Sequence, residues 1–141
     1  DGLTWTFHLD PAARWTNGEA VTAADYVYGF RRILNPSYAA EYAYMVYPLK
    51  NAKAYNSGTI KDPAQVGAEA VDNLTLKLTL ETPCPWLLSL VSHQSWFPVH
   101  RATVEKFGGG DNGHNGLKSL RSALGTGAGS TRDPIAHRFR P

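Results

Sequence analysis

Cysteine is almost missing from this 141-residue chain: Cys84 stands alone. One cysteine closes no internal disulfide and offers no CxxC metal spacing. Its setting, Pro83-Cys84-Pro85, is poor for a helix-activated thiolate, so a small packed apolar side chain is the expected role. Long hydrophobic runs are missing too: no stretch approaches the ~20 apolar residues that cross a bilayer. No basic segment followed by an apolar core marks a signal peptide. The chain opens without Met inside a strand-like pattern and reads as a piece of something longer, so the missing signal does not bear on compartment.

The motifs of catalysis are equally scarce. There is no nucleophile elbow, phosphate-cradling glycine loop, HExxH, zinc quartet or EF-hand. The Gly108–Gly113 run, GGGDNG, lacks the Lys-Ser/Thr of a P-loop and the spaced carboxylates of a calcium loop. The five histidines, His8, His93, His100, His114 and His137, show no ligand-pair spacing. An enzyme is not expected, nor a cofactor or metal, which leaves binding as the better class of function.

The net charge of +2 conceals an asymmetry. Residues 1–107 carry nine Lys/Arg against ten Asp/Glu, and residues 108–141 carry five against two. The body of the chain gives no electrostatic reason to expect nucleic acid. Eight of the thirteen glycines fall in residues 108–141, and Phe139 is the only aromatic residue there. Such a composition buries too little apolar surface to offset chain entropy. The Gly/Arg-rich tail, residues 109–141, is therefore read as disordered or as foreign to the fold.

What is present is patterned. Leu3, Trp5, Phe7 and Leu9 alternate with polar residues, the period of a strand with one buried face. Asn17-Gly18 marks a turn. Thr22 and Asp25 make a capping box, with Asp in place of Glu, that opens a helix. Its apolar face is Tyr26, Val27, Phe30, Ile33 and Leu34, and Asn35-Pro36 ends it. Five tyrosines then fall within eighteen residues, Tyr38 to Tyr55. They suit either a core edge or a ligand-facing wall.

Residues 67–81 read as a hairpin. Its turn is expected at Asp72-Asn73, residues that tolerate positive φ. Leu74, Leu76, Leu78 and Leu80 form the buried row of its second strand. Pro85 can open a short helix burying Trp86, Leu87, Leu90 and Val91, and Arg101–Phe107 reads as another. Trp5, Phe7, Phe30, Leu76, Leu78 and Trp86 are expected in one core.

Seven segments, in order over residues 1–108, resemble the family-5 bacterial extracellular solute-binding proteins, of the periplasmic oligopeptide-binding type. They begin with the strand Trp5-Thr-Phe-His-Leu9 and the turn Ala13-Arg14-Trp15-Thr16-Asn17-Gly18. Val21–Tyr28 and Arg31-Arg32-Ile33-Leu34-Asn35-Pro36 follow. Gly67–Leu80, Glu81-Thr-Pro-Cys-Pro85 and Val104-Glu105-Lys106-Phe107-Gly108 complete the series. Each match is weak alone, but seven in order are specific. After Gly108 the family pattern stops.

The resemblance implies an α/β (α+β) fold: part of one lobe of a two-lobed periplasmic binding protein, with a small mixed sheet and flanking helices. Residues 1–108 would be the extra cleft-lining domain of the first lobe. It implies an intact parent that captures peptides for an ABC importer, with peptides and the permease subunits as partners and without nucleic acid or membrane insertion. It places that parent in the periplasm, or on the cell surface as a lipoprotein. Two cleft-wall positions carry over. Tyr42, in Glu41-Tyr42-Ala43-Tyr44, matches a tyrosine in an S-P-Y-A context. His93, in Leu90-Val91-Ser92-His93, matches a histidine in an L-L-x-H context. Packing under a helix and capping a loop are the competing roles, and Tyr44 is the alternative to Tyr42 if the register differs. Two other functions stay open: a relative binding dipeptides, nickel chelates or glutathione-like compounds, and a small self-standing protein-interaction domain.

Overall fold

A computed structural model describes residues 1–107, so the Gly/Arg-rich tail lies outside the described residues. The alternating segments form three short strands: β1 (Thr4–His8), β2 (Ala68–Asp72) and β3 (Thr75–Thr79). They make an antiparallel sheet in the order β1-β3-β2. In the central strand Leu76 and Leu78 point into the core, and across from them on β1 stand Phe7 and Trp5, half-buried on the same face. Leu80 continues the row past the strand and bridges to Leu49.

The hairpin turn differs from the sequence expectation. It lies at Asn73-Leu74, one residue later, and neither Asp72 nor Asn73 takes a positive φ. A register shift between Ala70 and Asp72 makes Val71 the extra residue of a bulge, which bends the strand before the turn. The Asp72 carboxylate then accepts the Leu74 N–H at 2.8 Å, an Asx turn that needs no left-handed residue. That bond holds the Asp72 carboxyl below its ordinary range.

Helix α1 (Ala23–Leu34) lies over the sheet and buries Tyr26, Val27, Phe30 and Leu34. The Asp25 carboxylate accepts the Thr22 N–H at 2.9 Å, satisfying one of the donors that a helix start leaves free. Arg31 and Arg32 occupy the last turn, where cations suit the helix dipole. The tyrosine-rich stretch breaks into 3-10 turns at Pro36–Tyr38 and Ala43–Val46 and the short helix α2 (Ala52–Asn56). Gly67 is where this stretch meets the sheet. A Cβ there would stand 2.2 Å from the Thr79 carbonyl oxygen, so only glycine allows the approach.

Beyond the sheet come α3 (Leu87–Leu90), a 3-10 turn at Gln94–Trp96 and α4 (Arg101–Phe107). Cys84 is buried without a partner, in its expected apolar role. Trp86 is a correction. It was expected in the core but is 61% exposed. Leu87, Leu90 and Val91 take the inward side of α3 as expected, and Trp86 stands at the N-cap position outside it. Among the described residues, no helix is long and apolar enough to cross a membrane.

Leu78 and Trp86 therefore give a contrast that equilibrium denaturation of the full chain can read. Leu78→Ala should cost about 2–5 kcal/mol. Trp86→Ala should stay within about 0.5 kcal/mol, as for an exposed site. Equal losses would contradict this account of the core.

Candidate functional site

Tyr42 immediately precedes the 3-10 turn Ala43–Val46. That turn is fixed by burial of Ala43 and Val46, which leaves the tyrosines between and before them facing outward. Tyr42 is 43% exposed and Tyr44 56% exposed, unusual for rings that could have been buried. His93 caps the turn Gln94–Trp96. Its Nδ1 accepts the Ser95 N–H at 3.2 Å and lies 3.0 Å from the Ser95 hydroxyl. An acceptor at Nδ1 places the proton of the neutral ring on Nε2.

The two turns come from opposite sides of the sheet hairpin in sequence, and the fold brings them together. The Tyr42 and His93 rings are 5.8 Å apart between centroids, and Tyr42 and Tyr44 are 6.2 Å apart. Tyr44 thus stands beside Tyr42, so both register alternatives belong to one surface. His93 does cap its loop, and it does so through Nδ1 alone. The result is an aromatic surface offering two phenol hydroxyls and an imidazole edge.

Trp96 holds this surface in place, and the sequence reading did not single it out. It is 1% exposed, its indole N–H donates to the Met45 carbonyl at 3.1 Å, and its ring meets Phe30 edge-on at 5.4 Å. One side chain ties the tyrosine turn, the histidine turn and α1 together. The available signal was a tryptophan just after a polar connector, in Ser92-His93-Gln94-Ser95-Trp96.

A groove of about 690 Å3 lies elsewhere, between α1 and β2, with Tyr28, Arg31, Lys77, Glu69 and Arg101 among its lining. Tyr42 and His93 do not line it. Its cations and carboxylates are mixed, so the aromatic surface is the better candidate. That surface is a wall rather than a pocket. Among the described residues, no group of three or more His, Cys, Asp or Glu side chains could hold a metal ion.

His100 was also unanticipated. It is 8% exposed and bonds the Glu19 carboxylate through Nε2. This bond holds the Glu19 carboxyl below its ordinary range. A carboxyl depressed by folding adds stability above its unfolded-state pKa and loses it as pH falls through the lower folded value. The Glu19 contribution is thus lost only in acid, below the ordinary carboxylate range, and it is small because Glu19 is solvent-exposed.

The sheet, helices and turns described here recur in a known class of protein, one lobe of a bacterial binding protein. The sequence matches the family of bacterial extracellular solute-binding proteins, family 5 middle, over residues 1–128, and the chain belongs to that family. It is 42% identical over 110 residues to the periplasmic oligopeptide-binding protein OppA of Haemophilus influenzae, covering 77% of this chain and 20% of that protein. It is 43% identical over 101 residues to the dipeptide-binding protein DppE of Bacillus subtilis, covering 71% and 18% respectively. Among solved structures, the substrate-binding domain of an oligopeptide ABC transporter from Bacillus anthracis superposes with a TM-score of 0.75 at 42% identity. That superposition covers 77% of this chain and 21% of the other. The chain thus spans about a fifth of the length of the relatives it matches.

Trp96→Phe keeps most of the ring but strands the Met45 carbonyl. Urea denaturation of the full chain should show a loss of about 0.5–1.5 kcal/mol, the net worth of a typical hydrogen bond, since the Met45 carbonyl is only partly buried. No loss would mean that the indole hydrogen bond does not anchor the tyrosine turn.

Proposed function

We propose that residues 1–108 form the extra cleft-lining domain of a larger peptide-capturing protein, the substrate-binding subunit of an ABC importer working outside the cytoplasmic membrane. One observation carries this reading. The exposed rings of Tyr42 and Tyr44 and the half-buried ring of His93 form one aromatic surface, and relatives about 40% identical are named for binding oligopeptides and dipeptides. Extended peptides expose amide groups and varied side chains at once. Aromatic rings with hydroxyl and N–H tips meet both needs, packing against apolar side chains while hydrogen-bonding the backbone.

In this reading Tyr42 and His93 contact ligand in the intact parent, with the His93 Nε2–H as donor. The second lobe closes over the peptide and supplies the remaining hydrogen bonds, and the closed form docks on the permease subunits. Periplasmic or lipid-anchored placement follows from the same role. Since neither half of the clamp excludes water by itself, this chain has little affinity of its own. Immobilising a flexible peptide costs several kcal/mol, while a contact or two approaches the millimolar limit of about −4 kcal/mol.

Calorimetric titration of the full chain with mixed tri- to pentapeptides tests this. No measurable heat of binding is the expected result. Micromolar affinity lost on Tyr42→Ala would overturn the reading and make the chain a minimal binding domain in its own right.

A further inference from the structure

His100 does two jobs with its two ring nitrogens. Nε2 bonds the Glu19 carboxylate in the loop that follows Asn17-Gly18. Nδ1 accepts the Thr103 backbone N–H at 3.2 Å and lies 2.6 Å from the Thr103 hydroxyl. The second contact caps the start of α4, since Thr103 N–H lies in the first turn, where a helix leaves donors unsatisfied. Trp15 packs edge-on against the same ring at 5.4 Å and donates its indole N–H to Asp25 at 3.1 Å. The Asp25 carbonyl in turn accepts the Val99 N–H at 3.2 Å. Loop 14–20 and α4 therefore meet at one imidazole, and Trp15 and Val99 tie the start of α1 to the same place.

We propose that His100 is a proton-operated clasp that holds α4 down when its ring is neutral and releases the first turn of α4 when the ring is protonated. A neutral ring that accepts at Nδ1 must carry its proton on Nε2, where it faces Glu19, so both contacts are made together. A second proton goes on Nδ1. The Nδ1–H can donate to the Thr103 hydroxyl, but it opposes the Thr103 N–H and ends the cap. It also puts a positive charge at a helix start, which the dipole disfavours. The gain is an ion pair with Glu19. Protonation thus exchanges a helix cap for an ion pair, strengthening the tie to the loop while loosening α4.

The other charged groups nearby do not duplicate this. Asp25 is engaged by Trp15 and the Thr22 N–H. On α4, Arg101 pairs with Glu105 at 2.7 Å and stacks over Tyr28 on α1. Val104 is the one buried side chain of α4, and the Arg101 contact with Tyr28 in the first turn is solvent-exposed. Histidine is the side chain that changes charge between about pH 5 and 8, a range that an extracellular protein can meet. The clasp is independent of which ligand the parent binds.

Nuclear magnetic resonance of the full chain between pH 8 and 5 reads both halves in one sample. The His100 Nδ1 nitrogen shift reports the ring proton, and hydrogen-exchange protection, corrected for intrinsic rates, reports the Thr103 amide. Protection at Thr103 should fall about fivefold, the factor expected for loss of a helix cap, with the midpoint of the Nδ1 shift. Glu19→Gln keeps an acceptor without the charge, and Thr103 protection should still fall together with the Nδ1 shift. His100→Asn, a cap that does not titrate, should leave Thr103 protection level across the range. Thr103 protection that stays constant in the native chain while Nδ1 titrates, or that falls with a different midpoint, would overturn the clasp.

Discussion

The packing of Trp96 is the constraint on which the candidate surface depends. The two turns that carry Tyr42, Tyr44 and His93 are each only one 3-10 turn long. Such pieces have few internal hydrogen bonds and no independent stability. Trp96 gives both a common foundation. Its ring fills the space beneath them and meets Phe30, while its N–H fixes the Met45 carbonyl. Gly29 completes the arrangement. A Cβ there would meet the Phe97 carbonyl at 3.1 Å, so the segment after Trp96 lies close along α1.

This arrangement explains why an exposed aromatic surface is stable. Tyr42 and Tyr44 are not held by burying their own rings. They are held because Ala43 and Val46 between and beyond them are buried, so the apolar period of the turn leaves the tyrosines outside. The same logic places His93 at a cap, where Nδ1 is occupied by Ser95. The scaffold orients each group through a neighbour. The rings of Tyr42 and Tyr44 are left exposed while the turns beneath them are fixed, the preorganisation that binding sites favour.

Much of this was legible in the sequence, and the reasons for the rest are physical. The row Leu76, Leu78, Leu80 and the cap at Thr22-Asp25 were readable because a strand or helix start writes its period into adjacent residues. The turn at Asp72 was misplaced by one residue because a bulge at Val71 inserts a residue without changing composition. Helical spacing puts Trp86 in the core, but the inward positions at α3 go to Leu87, Leu90 and Val91, and Trp86 is the N-cap residue outside them. His100 was missed because its partner Glu19 is 81 residues away, and no local pattern encodes such a pairing. Its cap on Thr103 was in principle readable, as a polar residue three positions before Thr at the start of an expected helix. Tyr42 and His93 were chosen by resemblance rather than by period, and the fold brings them side by side.

The central claim is that Trp96 holds the tyrosine and histidine turns as one surface, and proton–proton contacts between the Tyr42 and His93 rings test it most directly. At a centroid separation of 5.8 Å, nuclear Overhauser effects between these rings should be strong in the full chain. They should vanish in Trp96→Ala while contacts between Trp5 and Phe7 in the sheet, 6.4 Å apart, persist. Ring contacts that survive the loss of Trp96, in a chain whose sheet is intact, would contradict the account.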